Sequence, residues 1–259
     1  MVTVSLKRNQ GNILDGYSGL EAPEERMEQK VEGSLLCEGF EKLMGKYEKI
    51  LAIDYGIQEA VAEIDHILAP EQINSFLQAT IRHEGHRNYS FNSGHFITKL
   101  IQDSHNAGYN KFTLNTKSLV KEIDNIGYNI KGKEHLEIII KGNAGCCCGE
   151  WAENLKQIYI AGNAGKYCGN LAYNIKRIYI EGNAGEWCGA ADNIEEIYVA
   201  GSTGCFSGSV ATNSTFKTPN EDTLRLLKEN VSKGKGNKLY FINPDGSELY
   251  IPEGEWQSL

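Results

Sequence analysis

The sequence predicts a mixed fold: a helical amino-terminal region leading into a short parallel β-solenoid with coils of roughly twenty residues, closed by a helix and a hairpin. Three observations carry this. Lys141-Gly142-Asn143-Ala144-Gly145 recurs as Ala161-Gly162-Asn163-Ala164-Gly165 and as Glu181-Gly182-Asn183-Ala184-Gly185, with a worn copy, Ala200-Gly201-Ser202-Thr203-Gly204, one residue early. Each copy is preceded by an apolar run: Ile138-Ile139-Ile140, Ile158-Tyr159-Ile160, Ile178-Tyr179-Ile180 and Ile197-Tyr198-Val199. Helical spacing of apolar residues dominates before residue 110 and returns after residue 214. A fixed short period means a unit stacked on copies of itself, so the core is a column. The chain divides on this reading into a helical region 1–110, solenoid repeats 111–213 and a cap 214–259.

The elements follow in order. Residues 1–20 show little periodicity. Glu24 to Tyr47 places Leu35, Leu36, Phe40 and Leu43 on one side of a helix, and Ile57 to Leu68 continues with Ile57, Val61, Ile64 and Leu68. Ala69-Pro70-Glu71-Gln72 has the proline and acid of a helix start, with Ile73, Phe76 and Leu77 to bury, Ile81 after them. Arg87-Asn88-Tyr89-Ser90 reads as a loop. A helix from Ser93 carries Phe96, Ile97, Leu100 and Ile101 and stops at Gly108. Lys111 to Asn115 reads as a strand, Ser118 to Asn125 as a helix bearing Leu119, Val120 and Ile123, and Leu136 to Ile140 as the first regular rung. Beyond the repeats, Asn220-Glu221-Asp222 opens a helix to Val231, and Leu239 to Ile242 and Leu249 to Ile251 flank the turn Asn243-Pro244-Asp245-Gly246 of a hairpin. These flanking segments are expected to cap the column ends, which otherwise expose unpaired backbone.

Within the repeat, the β-branched and aromatic runs alternate as strands do, and the glycine pairs allow corners. Stacking brings equivalent residues about 4.8 Å apart, which creates ladders. Asn143, Asn163 and Asn183 form one, continued by Ser202; Asn154, Asn174, Asn193 and Asn213 form a second. Asparagine tolerates left-handed geometry and can bond corner backbone groups. Cys148, Cys168 and Cys188, followed by Ser207, form a third, small enough for a narrow interior between corners. Their sequence neighbours Cys147, Tyr167, Trp187 and Phe206 then face the other way. Such a row is either a contact surface or a stripe covered by the terminal helical segments.

The units Gly142 to Gly149, Gly162 to Gly169, Gly182 to Gly189 and Gly201 to Gly208 have the form G-x-x-G-x-x-x-G. This pattern resembles the G-X-G-X-G domain found in the large subunit of glutamate synthase and in the C subunit of formylmethanofuran dehydrogenase. The resemblance covers residues 136–213 and implies a right-handed parallel β-helix serving structure and assembly. The chain departs from the family after the third glycine, where Ala-x-Asn-Ile/Leu stands in place of further glycines.

Composition narrows the function classes. A net charge of −8 argues against general binding to nucleic acid or anionic membranes, which needs a basic face. No apolar run is long enough to span a bilayer, and the first residues lack a signal-peptide core. Seven cysteines, three of them contiguous, form a poor disulfide framework and fit a reducing cytoplasm. No cofactor is expected: stacked thiols lie in a line, whereas zinc and iron–sulfur sites want converging ligands. Gly-Asn-Ala-Gly lacks the Lys-Ser/Thr of a phosphate loop. Outside the repeat, His83, Glu84 and His86 are the candidate site, although their spacing is one residue short of the zinc-protease helix. The leading expectation is a non-catalytic scaffold or interaction module that engages a protein partner or itself through Tyr167, Trp187 and Phe206. The alternative is a metal-dependent or hydrolytic enzyme centred on His83, Glu84 and His86.

Overall fold

The computed structural model describes residues 38–256. Leu35, Leu36, the residues 1–20 and the seventh cysteine, Cys37, lie outside them. Helices come first: α1 (Glu38–Leu51), α2 (Ile57–Ala62), α3 (Pro70–Ala79) and α4 (Tyr89–Asn106). Strands β1 (Lys111–Asn115), β2 (Glu137–Lys141), β3 (Gln157–Ile160), β4 (Tyr173–Ile180), β5 (Asp192–Val199), β6 (Thr215–Thr218), β7 (Lys238–Ile242) and β8 (Glu248–Ile251) form one sheet in chain order, with α5 (Glu221–Val231) between β6 and β7. Every neighbouring pair is parallel except β7–β8.

The register follows the repeat. Ile138, Ile158, Ile178 and Ile197 are paired in succession, and Phe216 continues the row. Two further lines of parallel bridges run outside the sheet, Ala144–Ala164–Ala184–Thr203 and Lys131–Glu153–Tyr173. Backbone pairing thus continues around the corners. Ile138, Ile158, Ile178 and Ile197 are all at most 2 % exposed and face one continuous apolar core that runs from Leu43 to Trp256.

The corners are built from left-handed residues. Cys147, Gly149, Trp151 and Asn154 all have positive φ, as do Tyr167, Gly169, Leu171 and Asn174 in the next copy. Amides two residues apart bond in opposite directions: Cys147 N–H to Lys166 O in the following copy, Gly149 N–H to Ile126 O in the preceding one, Trp151 N–H to Asn170 O, and Glu153 N–H to Ile130 O. This alternation satisfies corner amides that have no strand partner.

Several sequence expectations are corrected. No helix spans Ser118 to Asn125. That segment enters an irregular first copy of the corner, in which Asn125, Gly127 and Asn129 have positive φ and Lys131 bridges Glu153. Glu84 Oε1 accepts the N–H groups of Val120 and Lys121, which fixes the turn where a helix was expected, and leaves Val120 87 % exposed. The helix placed from Ser93 starts four residues earlier, so Tyr89 and Ser90 of the expected loop belong to its first turn, with Asn88 before it. Asn88 Nδ2 and Asn92 Nδ2 turn instead to the last carbonyls of α1: Ile53 O receives both, and Asn92 also reaches Ile50 O at 2.8 Å. The helix expected to reach Leu68 ends at Ala62.

α4 closes one end of the column through a stripe at four-residue spacing. Ser90 Oγ donates to Glu122 O, and Ser90 O accepts Asp124 N–H. Thr98 Oγ1 donates to Asn125 O at 2.9 Å and accepts Gly127 N–H at 2.8 Å. The Gln102 amide both donates to Lys131 O and accepts Lys131 N–H. Gly94, between Ser90 and Thr98, lets the backbones touch. α3 treats β1 similarly: Asn74 Oδ1 accepts Asn115 N–H and Gln78 Nε2 donates to Asn115 O.

At the other end, Asn220 Oδ1 caps α5 by accepting Thr223 N–H, and Thr223 Oγ1 ties α5 to Gly201 O and Thr203 N–H. Asn237 bonds Ala211 O, Val231 O and Ser214 N–H.

Candidate functional site

The asparagines expected to stack do so in two manners. Asn143 Oδ1 accepts Asn163 N–H at 2.9 Å, Asn163 Oδ1 accepts Asn183 N–H at 2.9 Å, and Asn183 Oδ1 accepts Ser202 N–H at 2.8 Å. This ladder bonds side chain to backbone, not amide to amide. Asn154, Asn174, Asn193 and Asn213 have positive φ throughout, and Asn174 Nδ2 donates to Asn154 Oδ1 at 2.6 Å.

Cys148, Cys168 and Cys188 are buried and unbridged. Their thiols hydrogen-bond in sequence. That bonding, with burial and the neighbouring thiols, pushes the Cys168 and Cys188 thiols well above the ordinary range. A group held so firmly protonated is a poor nucleophile and a poor metal ligand. Burial pushes Cys147 up to about 12, aided by Glu150.

The surface beside them is apolar. Tyr167 is 36 % exposed and Phe206 49 %, while Trp187 and Cys147 are half-buried. Trp187 and Phe206 stack with centroids 4.9 Å apart. Rings stacked on one another turn their edges outward, so this column offers no free face to a planar ligand. A second row runs four residues further on: Trp151, Leu171 and Val210 are 47, 42 and 59 % exposed, and Tyr173 beside them is 49 % exposed. Sequence reasoning missed this row. Its signal lies at the second position after the third glycine of each copy, and it breaks at Ala190-Ala191, where the third copy is one residue short. Every member of both rows has φ between 53° and 64°. Left-handed geometry costs a non-glycine residue about 1–2 kcal/mol, and more for aromatic and β-branched side chains than for asparagine.

His83, Glu84 and His86 are neighbours in sequence, but each is committed to a different structural partner. His83 Nε2 accepts from Arg82 Nε at 3.0 Å and lies 3.5 Å from Glu48 Oε1; burial, with Arg82, holds its pKa below the usual histidine value. Glu84 holds the Val120–Lys121 turn. His86 Nδ1 accepts Asn88 N–H at 3.2 Å. Among the described residues no group of three or more His, Cys, Asp or Glu is placed to hold a metal ion, and no helix is long and apolar enough to cross a membrane.

Comparison of the chain with protein-family models, with curated proteins and with solved structures gave no match.

Proposed function

We propose that the chain is a non-catalytic, cytoplasmic scaffold: a short parallel β-solenoid, right-handed as the G-X-G-X-G resemblance implies, that binds a protein through its two apolar corner rows. The successive parallel register and the bridges around the corners support the solenoid. The observation that carries the function is the conflict between backbone and side chain at the corners. Tyr167, Leu171, Trp187, Phe206 and Val210 occupy left-handed positions that asparagine or glycine would fill at lower energy, and they leave apolar surface in water. Large apolar groups kept on a strained, exposed backbone fit a contact surface, because ordered aromatics lose little entropy on binding.

The test is capture of partners by the tagged full chain from cells, compared with Trp187→Ser and Leu171→Ser, with circular dichroism to verify folding. Folded variants that lose a partner held by the wild-type chain support the reading. Identical partner sets for all three proteins overturn it.

A further inference from the structure

The two ends of the column are finished differently. At the first end, the edge of β1 is met by Asn74 and Gln78 of α3, and the entering corner is met by Ser90, Thr98 and Gln102 of α4. At the last end, β8 is paired to β7 and, among the described residues, to no strand on its other side. The core-facing side of this last rung is also open. Leu249 pairs with Phe241 in the row that leads back through Thr218, yet it is 53 % exposed. Between β8 and α5 lies a groove of ≈ 270 Å³ with Leu224, Phe241, Leu249 and Ile251 as its apolar lining.

We infer that this open end is the contact between two copies of the chain, joined by a two-fold axis that sets β8 antiparallel to its counterpart and α5 antiparallel to its counterpart. The groove's charged residues select a second copy over other occupants. Glu221 and Lys228 are seven residues apart on α5, two turns, and both line the groove, with Leu224 and Arg225 between them. When such a helix meets its own copy in antiparallel fashion, Glu221 of each faces Lys228 of the other, so the surface is complementary to itself. The strand agrees with this. Leu249 and Ile251 share the core-facing side, and centring the axis on Tyr250 sets Leu249 of each copy opposite Ile251 of the other. The sheet then continues across the axis with its apolar face unbroken, and both α5 helices cover the same face. This contact is separate from the corner rows, which lie on the column's side.

A charge exchange on the full chain, read by sedimentation velocity, tests the inference. The wild-type chain is expected to be dimeric at micromolar concentration, with salt weakening the dimer. Lys228→Glu and Glu221→Lys should each weaken dimerisation at least tenfold. Mixing the two single variants should restore a dimer, since one then carries only acidic and the other only basic groups at these positions, and the double variant E221K/K228E should dimerise alone. Circular dichroism separates lost association from lost folding. A monomeric wild-type chain overturns the inference, as does a dimer indifferent to both single variants or a mixture that stays monomeric. Trp187→Ser should leave this dimer intact; a dimer abolished by Trp187→Ser and unaffected at α5 would move self-association to the corner rows.

Discussion

Gly94 on α4 meets the backbone of Asp124 so closely that a Cβ at residue 94 would overlap the Asp124 carbonyl oxygen. The helix lies directly on the first corner, and the bonds from Ser90, Thr98 and Gln102 depend on that approach. Alanine normally favours a helix interior over glycine by about 1 kcal/mol. Here Gly94→Ala should destabilise by about 3 kcal/mol or more, because the obstacle is backbone and cannot rotate away. Urea unfolding measures the sign: a Gly94→Ala chain as stable as wild type would mean that α4 does not seat on the corner.

The asparagine ladder gives a smaller, additive effect. Asn163 Oδ1 accepts one backbone N–H from the next copy, at an exposed position. Removing it by Asn163→Ala should cost about 1 kcal/mol. Asn163→Asp retains the acceptor and should cost less. Equal losses for the two variants would show that the amide nitrogen, and not the oxygen, carries the stabilisation.

The buried thiols make a prediction about packing and reactivity. Cys168 sits between Cys148 and Cys188 in a column bounded by glycine corners. Cys168→Leu should destabilise by about 1–3 kcal/mol through overpacking. In the native chain Cys205, which is exposed, should react with a thiol reagent at once, while Cys168 and Cys188 should react only after unfolding. Rapid native labelling of all three would contradict the buried column.

How much of this was legible in the sequence depends on whether a residue's role repeats. The Ile-Tyr-Ile runs and the Gly-Asn-Ala-Gly corners occur several times, so strand register and the Asn143–Asn163–Asn183 ladder could be read from spacing alone. The first corner, near Asn125, occurs once and at a different spacing, without the glycine pairs. Leu119, Val120 and Ile123 happen to fall at helical intervals, and only a contact with Glu84, distant in sequence, decides against the helix. Ser90, Gly94, Thr98 and Gln102 look like an ordinary polar helix face until the corner they serve is placed beside them. The apolar row of Trp151, Leu171 and Val210 varies in identity from copy to copy, and what unites it is a backbone angle that sequence does not display.

Acid should expose a buried histidine. His95 is 7 % exposed and packs edge-on against Phe91 and Tyr128. Burial lowers its pKa to about 4. A base whose folded pKa is depressed binds its proton more readily when unfolded, so stability is full above the unfolded value near 6.5 and falls as pH drops towards 4. The loss across that window is about 3 kcal/mol. Unfolding free energies at several pH values should show this fall in the wild-type chain and a shallower one in His95→Gln. Parallel curves for the two proteins would exclude His95 as its source.

Val210 separates stability from binding most cleanly. It is a β-branched residue at φ 58° and is 59 % exposed, so it bears left-handed strain with little burial in return. Strain of about 1–2 kcal/mol is relieved by asparagine, which tolerates this geometry and lacks the backbone entropy cost of glycine. Val210→Asn should therefore stabilise the monomer by about 1 kcal/mol, against the usual direction for a random substitution. Glycine at the same position should gain less. If the corner rows form the protein contact, the stabilised variant should also bind its partner more weakly, because the apolar side chain that cost the fold its stability is the one removed from the contact. Thermal unfolding gives the first half and partner capture the second. A Val210→Asn chain less stable than wild type would mean that the valine side chain packs well enough to outweigh the strain, and the main support for a corner-row interface would be gone.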